Sequence, residues 1–197
     1  MESRFQAAVV DFLDACQKCR IEPIIGGSVA SSIWGEPRVT NDIDFMVRIS
    51  DNGVCLVSEL QNRFVIESNA VTEAKSDESW PRSFQAIHEE SVFKVDVFLI
   101  DDSPFARWET EAAKRLEIFD GVFARVLAPE AIALEKLRWY ELSNRVSDRQ
   151  WNDVVKLIET QGEEFGTQDF LQWAKELGLA ELAREALAEV GGHANRS

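Results

Sequence analysis

Between Ile21 and Val47 the chain makes a series of moves that few folds accommodate. A short apolar run, Ile21 to Ile25, enters Gly26-Gly27, and Ser28 opens a helical stretch, Val29 to Trp34, that stops at Gly35-Glu36-Pro37. The next strand-like segment, Asp42 to Val47, reads D-I-D-F-M-V. A buried strand that runs into Gly-Gly and a Ser-capped helix aims unpaired backbone N–H groups and a positive dipole end at one spot. Phosphate oxygens suit that spot, and glycine lets the backbone come close to them. Asp42 and Asp44, two apart on a strand, emerge from one face, while Ile43 points into the core.

Two carboxylates held side by side repel unless cations sit between them, and hard oxygen ligands with room for water and phosphate suit Mg²⁺. A third acid strengthens this reading. Asp96 interrupts Val92 to Leu99, an otherwise largely apolar strand, where a charge is costly unless it is paired or binds a metal. On a neighbouring strand it would stand beside Asp42 and Asp44. Three carboxylates can then hold two ions about 3.5–4 Å apart, clamping the attacking and leaving oxygens of an in-line displacement.

The rest of the chain divides in character near Ala128. Before it, helices are expected over 3–19 and 54–63 and from Pro104, a helix or loop over 70–80, and strands over 64–67, 84–88 and 92–100. Leu116 to Phe119 and Val122 to Leu127 flank Asp120-Gly121, a hairpin signal. After it, 129–142, 148–160, 167–177 and 179–190 read as amphipathic helices, with a frayed tail from Gly191 to Ser197. The expected fold is therefore α+β: a mixed α/β core over 1–127 followed by a helical lobe over 128–197.

Composition narrows the partners. A formal net charge of −14 over 197 residues provides no basic footprint for duplex DNA and favours a small, protein or basic acceptor. No apolar run approaches the roughly 18 residues that span a bilayer, and the N-terminus lacks the pattern of a signal peptide. Three cysteines, an odd and sparse set, do not suggest a disulfide framework, and Cys16-x-x-Cys19 has no second pair to complete a zinc site. Packing is their expected role, and the cytoplasm the expected location.

The run I-I-G-G-S-V-A-S-S-I-W-G-E-P-R-V-T-N-D-I-D-F-M-V resembles the signature of the polymerase β-like nucleotidyltransferases. The R-x-T-x-D-I-D form, with the later E-K-L-R-W-Y and R-Q-W-N-D-V, is similar to the AbiEii-like branch, known for toxins of toxin–antitoxin systems; the resemblance covers roughly residues 21–160. It implies a mixed sheet with flanking helices, an NTP such as ATP as substrate, two Mg²⁺ ions, and NMP transfer to an acceptor hydroxyl on a small molecule, a protein or a tRNA. It implies that Gly26, Gly27 and Ser28 hold the β- and γ-phosphates, and that Asp42 and Asp44 bind both ions. Asp96 would complete the catalytic metal site and help deprotonate the acceptor. Lys136 would contact the triphosphate, and Arg38 would contact phosphate or brace the carboxylates. The branch carries R-D-x-x-D in the following helix. Here Gln150 follows Arg149, leaving Asp153, with Asp148 two residues before Gln150, as a candidate for the nucleotide site. This departure motivates a second reading, a catalytically idle module that binds nucleotide or an antitoxin partner.

Plainer roles stand beside these. Lys136 lies between Leu134 and Leu137 and could snorkel from a helix surface. Arg38 could pair with Glu36 or Asp42. Trp139, Trp151 and Trp173 fall at helical positions that suit packing between helices, and His88 suits a structural place in its strand.

Overall fold

In the computed structural model, which describes residues 4–194, the short apolar runs become strands and the amphipathic runs helices. In chain order these are α1 (Arg4–Lys18), β1 (Ile24–Ile25), α2 (Gly27–Trp34), β2 (Asp42–Val47), α3 (Gly53–Leu60), β3 (Phe64–Val65) and α4 (Ala70–Ser76). There follow β4 (Ser83–His88), β5 (Lys94–Leu99), α5 (Pro104–Ala112), β6 (Lys114–Phe119) and β7 (Val122–Val126). The chain then continues through α6 (Pro129–Leu142), α7 (Asp148–Gln161), α8 (Thr167–Glu176) and α9 (Ala180–Ala194).

Contacts divide the chain into two units. One joins the residues up to Gly26 with Val39–Val126; the other joins Gly27–Arg38 with the residues from Leu127 onward. The lobes expected at 1–127 and 128–197 cut the chain once, whereas contacts cut it after Gly26, Arg38 and Val126. The physical reason lies in α2. Its Trp34 donates through Nε1 to the Leu127 carbonyl at 2.8 Å, and Gln161 donates to the Trp34 carbonyl at 2.6 Å. Gly35 packs tightly against α7: a Cβ there would stand 3.0 Å from the Ser31 carbonyl oxygen and 3.4 Å from Leu157 Cα.

The first unit holds one mixed sheet in the order β3-β4-β5-β2-β1-β7-β6. β2 runs parallel to β5, and β1 parallel to β7; the other neighbours are antiparallel. Ile43, Phe45, Val47, Val95 and Val97 are wholly buried on one face, where Phe12 of α1 stacks on Phe45 at 4.2 Å between ring centroids. β1 is shorter than the expected 21–25 because Pro23 has no N–H to pair and Gly26 begins the turn. β5 begins at Lys94 rather than Val92 because Val92 adopts φ +59°, a left-handed conformation that turns the chain between β4 and β5. Gly121, at φ +73°, closes the β6–β7 hairpin expected from Asp120-Gly121.

One expectation fails in this unit. Cys19 and Cys55 form a disulfide between the end of α1 and α3, with Cα atoms 5.7 Å apart. Thirty-six residues separate them, so the pairing depends on how α1 and α3 pack. Cys16 is the free cysteine; burial pushes its thiol well above the ordinary range, as suits a packing residue. The cysteines therefore no longer argue for a reducing compartment. Among the described residues, no helix is long and apolar enough to cross a membrane.

The second unit is helical. α6 buries Ala131, Ile132, Ala133, Leu134 and Leu137, and α7 buries Val154, Val155, Leu157 and Ile158. Glu130 Oε1 accepts from the Gly166 N–H at 2.6 Å and so ties the start of α6 to the start of α8. α9 runs to Ala194, so Gly191–Ala194 continue a helix where a frayed tail was expected; 195–197 lie outside the described residues. Trp139 is 37% exposed rather than packed in a core.

Candidate active site

The acidic residues come together through strand register. Along β2 and β5 burial alternates, so Asp42 and Asp44 share the less buried face of β2, and Lys94 and Asp96 that of β5. The two strands are adjacent and parallel, with Asp42 opposite Lys94 and Asp44 opposite Asp96. β5 is flanked by β2 and β4, so Asp96 lies on an inner strand. Both signals that placed the acids, the i,i+2 spacing and the costly charge in an apolar strand, thus lead to one patch of one face.

Two neighbours shape this patch. Thr40 Oγ1 donates to Asp42 Oδ1 at 2.7 Å and orients that carboxylate. Lys94 Nζ lies 2.7 Å from Asp96 Oδ2. The Lys94 ammonium is raised above its ordinary pKa, chiefly by this hydrogen bond; partial burial pulls the other way, and the charges of Asp96, Asp42 and Asp44 add to the rise. Lys94 therefore sits in the field of all three acids. Its role was missed in the sequence, although its spacing of two from Asp96 places the pair on the same face of a strand.

The donor chemistry of the patch fits a hard divalent cation: carboxylate oxygens on adjacent strands, partly open to water. The side chains do not already form a cage. Among the described residues, no group of three histidine, cysteine, aspartate or glutamate side chains converges as a metal site. The cation held on Asp96 is the lysine.

Gly26 belongs to this unit as well. Its N–H donates to the Asp44 carbonyl at 2.9 Å, so it fastens the turn to β2 and is not one of the N–H groups open to a ligand. Gly27 takes φ +54°, a conformation that favours glycine, and begins α2. Ser28 lies within that helix rather than capping it, with its hydroxyl turned to other partners.

Those partners form the second cluster, inside the helical unit. Arg38 grips Asp153 with a forked pair of bonds, Nε to Oδ1 at 3.2 Å and Nη2 to Oδ2 at 2.9 Å, and Nη2 also donates to Ser28 Oγ. Lys136 is only 4% exposed, so it does not snorkel; its ammonium lies 2.6 Å from Asp153 Oδ2 and donates to Gln150 Oε1 at 3.4 Å. Arg149 reaches Ser28 Oγ at 3.5 Å. Burial pushes the Asp153 carboxyl up, but bonds from Arg38 and Lys136 and their charges outweigh it and hold it below the ordinary range. Arg38 and Lys136 thus meet on one carboxylate, and Arg149 joins them through Ser28, a locally cationic cluster in an acidic chain. Gln150 is a working member of this network, accepting from Lys136.

His88 takes a structural place. It is buried, with Nε2 2.9 Å from Asp11 Oδ2 and Nδ1 2.7 Å from Ser91 Oγ. Trp151 donates to Glu189 at 2.9 Å and lies beside Tyr140, as a packing residue does.

No family model and no curated protein sequence matches the chain. Solved structures do. The solution structure of the antibiotic-resistance factor ANT(2'')-Ia is similar over the full length of both chains, with a TM-score of 0.59 at 14% identity. The crystal structure of ANT(2'')-Ia in complex with adenylyl-2''-tobramycin matches 91% of this chain and 96% of its own, with a TM-score of 0.56 at 15% identity. A nucleotidyltransferase-like antigenic protein from Paracoccidioides brasiliensis covers 89% and 91% of the two chains, with a TM-score of 0.48 at 16% identity. At such identities the likeness is one of fold, and that fold is the α+β arrangement of the polymerase β-like nucleotidyltransferases, a mixed sheet with flanking helices.

Proposed function

We propose that the protein is a nucleotidyltransferase that moves an NMP from a Mg-NTP to an acceptor hydroxyl by a two-metal mechanism. The observation that carries this reading is the in-register placement of Asp42, Asp44 and Asp96 on one face of adjacent parallel strands, within the fold shared with ANT(2'')-Ia. The three carboxylates are the oxygen donors for Mg²⁺, which supplies charge neutralisation at the phosphates. Asp96 accepts the proton of the acceptor hydroxyl as that oxygen bonds to the α-phosphorus and pyrophosphate leaves with its bridging oxygen. Ser28, Arg38 and Lys136 serve the triphosphate, Gly26 and Gly27 let the backbone approach it, and Asp153 holds the two cations in place.

The acceptor class follows from charge. A net charge of −14 draws polycations, and one structural neighbour is in complex with adenylyl-2''-tobramycin, whose tobramycin part is an amine-rich sugar. A small polyamine sugar is therefore the first acceptor to try. The test is transfer from α-labelled NTPs and Mg²⁺ to an aminoglycoside panel, then to cell extract; Asp44→Asn should abolish it. Failure of wild-type protein to label any acceptor, or to bind NTP, would sink the reading.

A second reading keeps binding without turnover, in the manner of one half of an AbiEii-like toxin–antitoxin pair. Gln150, where that branch carries an acid, favours it. It expects NTP binding by calorimetry with no label transferred.

A further inference from the structure

The patch that this reading assigns to Mg²⁺ contains its own cation. Lys94 stands opposite Asp42 in the register of β2 and β5, two residues from Asp96 on the same strand face, with its Nζ 2.7 Å from Asp96 Oδ2. In a strand whose other face is fully apolar, a lysine among three acids is not there for burial: its side chain is 39% exposed, against 14% for Asp96. An ammonium and a divalent ion compete for the same carboxylate oxygen and repel one another when both are close. A partly exposed ion pair is also weak enough for a divalent ion to displace it.

We propose that Lys94 is a resident counter-cation that occupies Asp96 in the ligand-free protein and must be displaced when a divalent metal binds there. This rests on the reading of Asp42, Asp44 and Asp96 as metal ligands. It has two consequences. Metal binds weakly to the protein alone, because each binding event breaks the Lys94–Asp96 pair and meets the lysine's charge. The displaced ammonium then carries its charge to the nearest available anion, which on that reading is a phosphate oxygen, so metal and nucleotide reinforce each other's binding. Lys94 is thus a positioning residue for metal loading, acting through Asp96.

The test is Mn²⁺ binding to the whole chain without nucleotide, followed by electron paramagnetic resonance or calorimetry. Lys94→Met and Lys94→Gln should each bind Mn²⁺ about tenfold more tightly than the wild type, while Lys94→Arg, which keeps the charge, stays within about twofold. Adding Asp96→Asn should erase the gain in either variant. The two neutral variants differ in polarity, so a folding fault in one leaves the other to report, with circular dichroism as the check. Equal or weaker Mn²⁺ binding by the neutral variants overturns the role of Lys94 while leaving the metal site standing. No Mn²⁺ binding by any of the proteins overturns both.

Discussion

The two charged clusters are built as opposites. The first unit sets three acids on a strand face with one lysine among them; the helical unit sets two cations, Arg38 and Lys136, on one carboxylate. The difference lies in how each odd charge is held. Lys94 keeps one bond to Asp96 and is 39% exposed, whereas Asp153 receives bonds from Arg38 and from a Lys136 that is 4% exposed. A counter-ion held loosely at an open face is replaceable at small cost. One gripped by two cations, of which Lys136 is buried, is part of the structure, and its removal leaves charge uncompensated. The acid patch is therefore expected to serve chemistry, and the Asp153 cluster to serve both phosphate and fold.

The largest expected effect separates these roles. Asp96→Asn should lower nucleotidyl transfer by about 10³-fold, the scale of removing one charge-stabilising group. It should change unfolding free energy by less than about 1 kcal/mol, because the pair it breaks is partly exposed. Asp153→Asn should behave in the reverse sense, costing about 3 kcal/mol in urea unfolding, with the double variant Asp153→Asn, Lys136→Met recovering part of that loss. If Asp96→Asn destabilises as much as Asp153→Asn, the contrast between an open and a locked counter-ion is wrong.

Acid sharpens the same point. The Asp153 carboxyl is held below its ordinary 3.8 in the fold, so its contribution is fully present above that value and fades as pH falls through the lower folded value. The stability gap between wild type and Asp153→Asn should therefore narrow from about pH 5 to about pH 3. Urea titrations at the two pH values check this. A gap that stays constant would mean that Asp153 does not depend on its two cations.

How far these clusters could be read from the chain depends on what brings their residues together. The i,i+2 rule places Asp42 with Asp44, and the cost of a charge in an apolar strand points to Asp96, so the acid patch was visible locally. Lys94 is equally local, two residues from Asp96, but a lysine at the start of a strand carries no signal of its own until the register sets it opposite Asp42. The start of β5 was not legible: nothing in Val92 announces a positive φ, a conformation rare for a β-branched residue. The Arg38–Asp153 fork spans 115 residues, and the Cys19–Cys55 bridge 36. Both are set by helix packing, which hydrophobic periodicity does not specify. The same limit explains Gly27–Arg38. Its short helix could be read from its pattern, but its choice of α6 and α7 as partners could not.

The smallest expected effect concerns Thr40, which donates to Asp42 Oδ1 at 2.7 Å. A single neutral-to-charged bond at a partly open carboxylate contributes about 1 kcal/mol. Thr40→Val keeps the branched shape and removes only the donor, so it should weaken Mn²⁺ binding about fivefold while leaving urea unfolding nearly unchanged. Thr40→Ser keeps the donor and should restore the affinity. The comparison turns on which carboxylates limit metal loading. In Lys94→Met the Asp96 side is already open, and the Thr40→Val penalty should persist there unchanged, because Thr40 acts on Asp42 and Lys94 on Asp96. A penalty that vanishes in the Lys94→Met background would mean that the two residues act on one shared arrangement of the acids rather than on separate carboxylates.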